Sequence, residues 1–203
     1  MSEAAAKVYL VDDDRSVRTA IGRLIASAGY DYECYASAEE FLRHFDPAVP
    51  GCVVLDLALP GMDGFAIQDR ISSIAGDRPI IFLTGRGDIP TSVKAIKAGA
   101  VDFLTKPIEA DILLAAIEGA VTRDREARSA SSIRRSTKQA IARLTPRELQ
   151  ILDRIVDGRL NKQIAYDLGI TEKTVKVHRS HIMKKIGART VADLVRRIVE
   201  TRS

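Results

Sequence analysis

VYLVDDD (residues 8–14), VVLDLALPGMDG (53–64), IIFLTGRGD (80–88) and GAVDFLTKP (99–107) share one pattern, a short apolar run that stops at a polar residue. The runs Val8–Val11, Val53–Leu55, Ile80–Leu83 and Asp102–Leu104 read as strands. They stop at Asp12, Asp56, Thr84 and just before Lys106-Pro107. A weaker strand, Tyr32–Tyr35, follows the helix stop at Ala28-Gly29. Helical patterns fill the gaps at about 15–28, 37–45, 64–74, 91–98 and 109–121. Five strand–helix units with strands this apolar predict an α/β domain: a five-stranded, parallel, doubly wound (flavodoxin-like) sheet with helices on both faces.

In such a sheet, ligands bind beyond the carboxyl ends of the strands. Asp12, Asp13, Asp56, Thr84 and Lys106 all fall at that edge. Three carboxylates brought together repel one another and call for a cation, and hard oxygen donors suit Mg²⁺. A lysine and a hydroxyl beside them suit a phosphoryl group. A carboxylate can itself accept that group as an aspartyl-phosphate. Each residue alone has a plainer reading: Asp14 or Ser16 capping a helix, or Lys-Pro as a strand end with a rigid turn. Four matching strand ends in order favour the site.

These four stretches resemble the receiver domain of bacterial two-component response regulators. The resemblance implies that Asp56 is the phosphoacceptor. It implies an acidic pocket of Asp12 and Asp13, with Asp13 a direct metal ligand and Ala58 supplying its backbone carbonyl. Thr84 and Lys106 match the switch hydroxyl and the phosphate-pairing lysine, and Phe103 the aromatic switch position. A sensor histidine kinase is the implied donor and Mg²⁺ the implied cofactor. In many relatives the Lys106–Pro107 bond is cis.

Charge divides the 203-residue chain. Its formal net charge of +4 splits into −7 over residues 1–122 and +11 over 123–203. An acidic half joined to a basic half suggests two domains with different partners, the second a nucleic-acid candidate. Between them, TRDREARSASSIRRSTKQAIA (122–142) has no Pro or Gly. It reads as an exposed helical extension, with a flexible coil as the alternative. The domains expected are 1–122, a linker 123–141, and 142–203.

The last part is helical throughout. Thr145-Pro146 opens a helix ending near Asp157, and Asn161 caps a second, Lys162–Leu168. Thr171 caps a third, which runs to Ile186, and a fourth covers about Val191–Glu200. Two short helices joined through Gly169-Ile170-Thr171 are what a helix-turn-helix requires. On the third helix, Val175, Ile182 and Ile186 share one stripe, while Lys173, Lys176, Val177, Ser180 and Lys184 lie roughly opposite. Lysines with an exposed Val and Ser suit a DNA major groove; the plainer reading is a solvated basic face. LTPRELQIL (144–152) and NKQIAYDLGITEKTVKVHRSHIMKKIG (161–187) resemble the LuxR/NarL-type helix-turn-helix. By that resemblance Lys176, Val177 and Ser180 face bases, and Lys173, Thr174, Arg179 and Lys184 take phosphate positions. His178, like His44 and His181, reads as structural. The two domains together look most like the FixJ subgroup of response regulators. That implies a transcription factor, not an enzyme, that dimerises on phosphorylation and works with promoter DNA and RNA polymerase.

Composition agrees with this reading and removes others. The chain is 46% hydrophobic and 29% charged, ample for a folded core. No uninterrupted apolar run reaches spanning length, and the N-terminal stretch does not read as a secretory signal. Cys34 and Cys52 make neither a disulfide framework nor a zinc site, and a cytoplasmic protein without membrane partners is expected. Two competing functions remain. A Mg²⁺-dependent phosphotransferase or phosphatase with an aspartyl nucleophile would carry a second aspartate two residues on, where Ala58 stands. A constitutive DNA-binding protein would not need Asp56, Thr84 and Lys106 together.

Overall fold

The computed structural model describes residues 6–62, 64–85 and 102–202. The helix expected at 91–98 lies outside them. The chain divides into two compact units, Met1–Ala127 and Arg128–Ser203.

In the first unit, β1 (Lys7–Val11), β2 (Asp31–Tyr35), β3 (Gly51–Asp56), β4 (Ile80–Thr84) and β5 (Asp102–Thr105) form one sheet. All pairs are parallel, as the sequence predicts, and the strand order is β2-β1-β3-β4-β5. Side chains alternate along each strand, so the sheet builds two cores. Tyr9, Val11, Val53, Leu55 and Phe82 pack under α2 (Ala38–His44) and α3 (Gly64–Ala75). Val8, Leu10, Val54, Ile81 and Leu83 pack on the other face, against Ile21 and Ile25 of α1 (Arg15–Ser27) and Leu113, Ile117 and Val121 of α4 (Ala110–Ala142).

α4 is 33 residues long and takes in the whole stretch expected as a linker. The coil alternative therefore does not hold. With no Pro or Gly from 122 to 142, nothing breaks the ladder, and Ala, Arg and Glu outweigh the weaker Ser-Ala-Ser-Ser tract.

The amino ends of the strands are tied by a buried polar knot that the sequence did not reveal. Asp124 of α4 accepts the Gly51 amide at 2.9 Å and lies 3.5 Å from Arg78 Nη1. Arg78 also donates to the carbonyls of Gly51, Pro47 and Val49. Both residues are 4% exposed. Gly51 has φ +144°, and a Cβ there would overlap the Lys7 carbonyl. Asp124 places the edge of the first unit beyond the expected boundary at residue 122.

The second unit is all-α: α5 (Pro146–Val156), α6 (Asn161–Leu168), α7 (Glu172–Ile186) and α8 (Val191–Arg202). Its core joins Ile151, Leu152 and Ile155 to Ile164, Val175, Ile182, Ile186, Leu194 and Ile198, and Ala140 and Ile141 at the end of α4 pack against it. Leu160, not Asn161, is the N-cap of α6. The Gln163 side chain accepts the Leu160 amide at 2.9 Å, which leaves Asn161 as the first helical residue.

Removing one member of a buried ion pair leaves the other charged and unmatched, at a cost of roughly 3–5 kcal/mol. Asp124→Ala is therefore expected to lower the urea midpoint strongly, and Asp124→Asn, which keeps an acceptor for the Gly51 amide, to cost less. Equal effects of the two would disprove the assignment.

Candidate functional site

The parallel register carries Asp12, Asp56 and Thr84 to one edge of the sheet. Backbone bonds run from strand end to strand end: Asp12 N donates to Tyr35 O, Leu57 N to Leu83 O, and Lys106 N to Thr84 O at 2.7 Å. The three consecutive aspartates divide their work. Asp14 caps α1, accepting from the amides of Ser16 and Val17, so the helix-cap reading holds for that residue alone. Asp12 Oδ1 accepts the Asp14 amide at 2.9 Å, which turns the second oxygen toward the site. Arg18 Nη1 fixes the same turn by donating to the Asp12 carbonyl at 2.6 Å.

Asp12, Asp13 and Asp56 each bring a carboxylate oxygen within 4.8 Å of the others. Asp12 and Asp56 are buried and Asp13 is exposed. Lys106 Nζ reaches Asp12 Oδ2 and Asp56 Oδ2, both at 2.6 Å. Asp56 Oδ1 accepts the Ala58 amide at 2.9 Å. Thr84 ends β4 and is 4% exposed. Phe103, half buried, pairs in register with Phe82 and packs on the first core. The Lys106–Pro107 bond is cis.

Burial pushes the Asp12 carboxyl above its ordinary range, against the pull of Lys106. Burial alone would lower Lys106, yet its hydrogen bonds to Asp12 and Asp56 carry it higher. One ammonium shared between two carboxylates holds its own proton firmly and still does not compensate the burial of Asp12. An acidic pocket with charge to spare is a fit for a divalent cation, with oxygen donors of the right hardness.

In the second unit, the outward stripe of α7 lies where the sequence places it. Lys173, Lys176, Val177, Ser180 and Lys184 are exposed, while Val175, Ile182 and Ile186 are buried. Thr174 is half buried, with its hydroxyl against that of the N-cap Thr171 at 2.9 Å. Arg179 is half buried and donates to Asn161 Oδ1 at 2.7 Å, apart from the outward stripe.

α7 is held from behind by α5. Thr145 and Glu148 form a capping box, and Lys185 Nζ reaches Glu148 Oε2 at 2.7 Å. Arg147 Nη2 accompanies it, donating to Leu168 O at the end of α6 at 2.6 Å. The Thr-x-x-Glu spacing was a readable signal for the box. No spacing pointed to Lys185 or Leu168, since both are long-range partners.

These features define a two-part regulator, an acidic-pocket receiver and a helix-turn-helix unit, and comparison with known proteins agrees. A family described as "Response regulator receiver domain" matches residues 8–118, and "Bacterial regulatory proteins, luxR family" matches 142–198. The response regulator protein TodT of Pseudomonas putida is 43% identical over 97% of this chain and 86% of its own. The transcriptional regulatory protein FixJ of Bradyrhizobium diazoefficiens is 36% identical over 93% of this chain and 92% of its own. Among solved structures, the response regulator StyR superposes with a TM-score of 0.80 at 44% identity, covering 97% of this chain and 100% of that one. Full-length FixJ from B. japonicum gives 0.60 at 34%, with 98% of each chain covered. The chain belongs to the response regulators that join a receiver domain to a LuxR-type DNA-binding domain. It is a phosphorylation-controlled, DNA-binding transcriptional regulator of a two-component system, a class served by a sensor kinase. No helix among the described residues is long and apolar enough to cross a membrane.

The Glu148 carboxyl is lowered from 4.5 to about 2, first by the hydrogen bond from Lys185 and then by the Thr145 amide. A depressed carboxyl stabilises the fold above its unfolded pKa and loses that contribution as the pH falls through the folded value. The stability of the second unit is expected to decline from about pH 4.5 toward about pH 2. Glu148→Gln should flatten that part of the profile, followed by thermal melts at stepped pH.

Proposed function

We propose that Asp56 accepts a phosphoryl group from a sensor histidine kinase. The observation that carries this is the convergence of Lys106 Nζ on Asp56 and Asp12 at 2.6 Å beside a third carboxylate. An Asp56 oxygen forms the new P–O bond as the phosphohistidine P–N bond breaks, and the electron pair leaves with the imidazole nitrogen. Asp12, Asp13, Asp56 and the Ala58 carbonyl would hold Mg²⁺, which supplies charge neutralisation at the phosphoryl oxygens. Lys106 exchanges one carboxylate for the phosphoryl group, and Thr84 offers it a hydroxyl. Phe103 responds to Thr84 and carries the change to the face built by 102–104 and the following helix. Ala58 supplies no acid for turnover of outside substrates, which favours a regulator over an enzyme.

In this reading residues 1–122 are the receiver, 123–141 the linker and 142–203 the DNA-binding domain, although Asp124 packs with the first unit. Lys176, Val177 and Ser180 read base edges, and Lys173, Thr174 and Lys184 meet phosphates. A single small helix-turn-helix reads few base pairs, so phosphorylation brings two chains together on paired half-sites. The dimer then engages RNA polymerase at a promoter in the cytoplasm.

With Mg²⁺ and acetyl phosphate, mass spectrometry should find one added phosphoryl group on the wild type and none on Asp56→Asn. Labelling of the mutant at the wild-type level would reject Asp56. Beryllofluoride, a phosphate mimic, should raise the sedimenting mass from monomer to dimer and tighten binding to operator DNA together. An unchanged mass and affinity with Asp56 occupied would sink the coupling. For the DNA contacts, Lys176→Ala should lose base discrimination worth ~1–3 kcal/mol, while Lys184→Ala weakens all sequences alike. Gel-shift titrations on matched and shuffled duplexes separate the two.

A further inference from the structure

Arg179 is a basic residue on the recognition helix that does not look outward. With Val175 as zero and about 100° per residue, Ile182 and Ile186 fall within about 20° and Arg179 at about 40°. Lys173, Lys176, Val177, Ser180 and Lys184 lie between about 100° and 200°. The Arg179 side chain therefore leaves α7 on its core side. There Nη1 donates to Asn161 Oδ1 at 2.7 Å, and Asn161 opens α6.

The placement has a mechanical meaning. α6 is eight residues, about 12 Å, long. At its far end the Gly169-Ile170-Thr171 turn joins it to α7, with Gly169 in the left-handed conformation at φ +64°. The turn is one joint between the two helices, and the Arg179–Asn161 bond is a second joint a helix-length away. The shared core of Ile164, Val175 and Ile182 presses the two helices together, and the Arg179–Asn161 bond adds a directional tie at the end of α6 far from the turn. A slip of about 1 Å at a radius of about 12 Å swings α7 by about 5°. Both residues line a groove of about 300 Å³, at whose rim Leu160 is 69% exposed.

We propose that Arg179 is a positioning residue for DNA recognition: through Asn161 it sets the angle at which α7 presents Lys176, Val177 and Ser180, and it is not a phosphate contact. This rests on the reading of α7 as the recognition helix.

The test uses the full-length chain, a duplex that the wild type selects from a random pool, and a shuffled duplex of equal composition. Fluorescence anisotropy is followed across a salt series, well below the melting temperature, with the fold of each variant checked by circular dichroism. Arg179→Met and Asn161→Ala should each reduce the preference for the selected duplex about tenfold, and the double variant should lose no more than either alone. Asn161→Asp, which keeps the acceptor, should retain the preference. Should Arg179→Met not fold, Arg179→Lys takes its place in the same cycle. The salt slope on shuffled DNA should stay at the wild-type value. A slope shallower by about 0.9 with Arg179→Met, with Asn161→Ala silent, would mark a phosphate contact and overturn the proposal. Lower melting temperatures with preference intact would also overturn it, leaving only a structural role. A wild type without any preference would overturn the reading of α7 and this inference with it, and that failure is visible before any variant is made.

Discussion

Like charges held at fixed positions are the constraint around which the first unit is arranged. Parallel pairing leaves the ends of β1 and β3 no choice but to lie side by side, so Asp12 and Asp56 are neighbours whatever their charge. At an effective dielectric constant of about 20, two carboxylates 4–5 Å apart repel by on the order of 3–4 kcal/mol. Lys106 answers part of this, and it can do so because its amide is pinned to Thr84 across the adjoining strand ends. The sheet thus works against its own electrostatics at one edge and recovers stability from the two apolar cores. A bound divalent cation would relieve a conflict already present, and its arrival would therefore be felt by the surrounding residues.

Much of this arrangement was legible in the residues. Period and punctuation located the strands because each apolar run ends in a residue that no core would accept. The three aspartates were harder, since the helix-cap reading and the site reading compete for the same letters. The molecule uses both, giving Asp14 to the helix and Asp12 and Asp13 to the pocket. Arg18, which braces the Asp12 carbonyl, had no signature, because a surface-type residue in an amphipathic helix looks the same whether or not its tip folds back.

The helical unit shows the limits of periodicity more clearly. The wheel separated buried from outward residues on α7 correctly, since burial follows angle. It could not tell which polar residues are partners. Glu148 with Lys185, Arg147 with Leu168, and Asn161 with Arg179 all join residues far apart in sequence, through side chains long enough to reach around a helix. The cap of α6 was missed for a different, local reason: Gln163, three residues on, accepts the Leu160 amide, and this side chain sets the cap one residue before Asn161. The phosphate position of Arg179 came from the family resemblance, whereas its angle on the helix and its bond to Asn161 are what motivate the positioning role proposed for it.

The knot of Arg78, Gly51 and Asp124 bears on how such a protein can be taken apart. Composition draws the seam at residue 122, where acidic gives way to basic, but packing draws it a few residues later. A receiver excised at the compositional seam would lack Asp124, the carboxylate that faces the buried Arg78 guanidinium and accepts the Gly51 amide. A chimera joined there would inherit whatever residue the donor sequence supplied at that position. Modules of this kind are separable only with the helix retained past its last inward-facing acid, so the unit of exchange is set by a counter-ion.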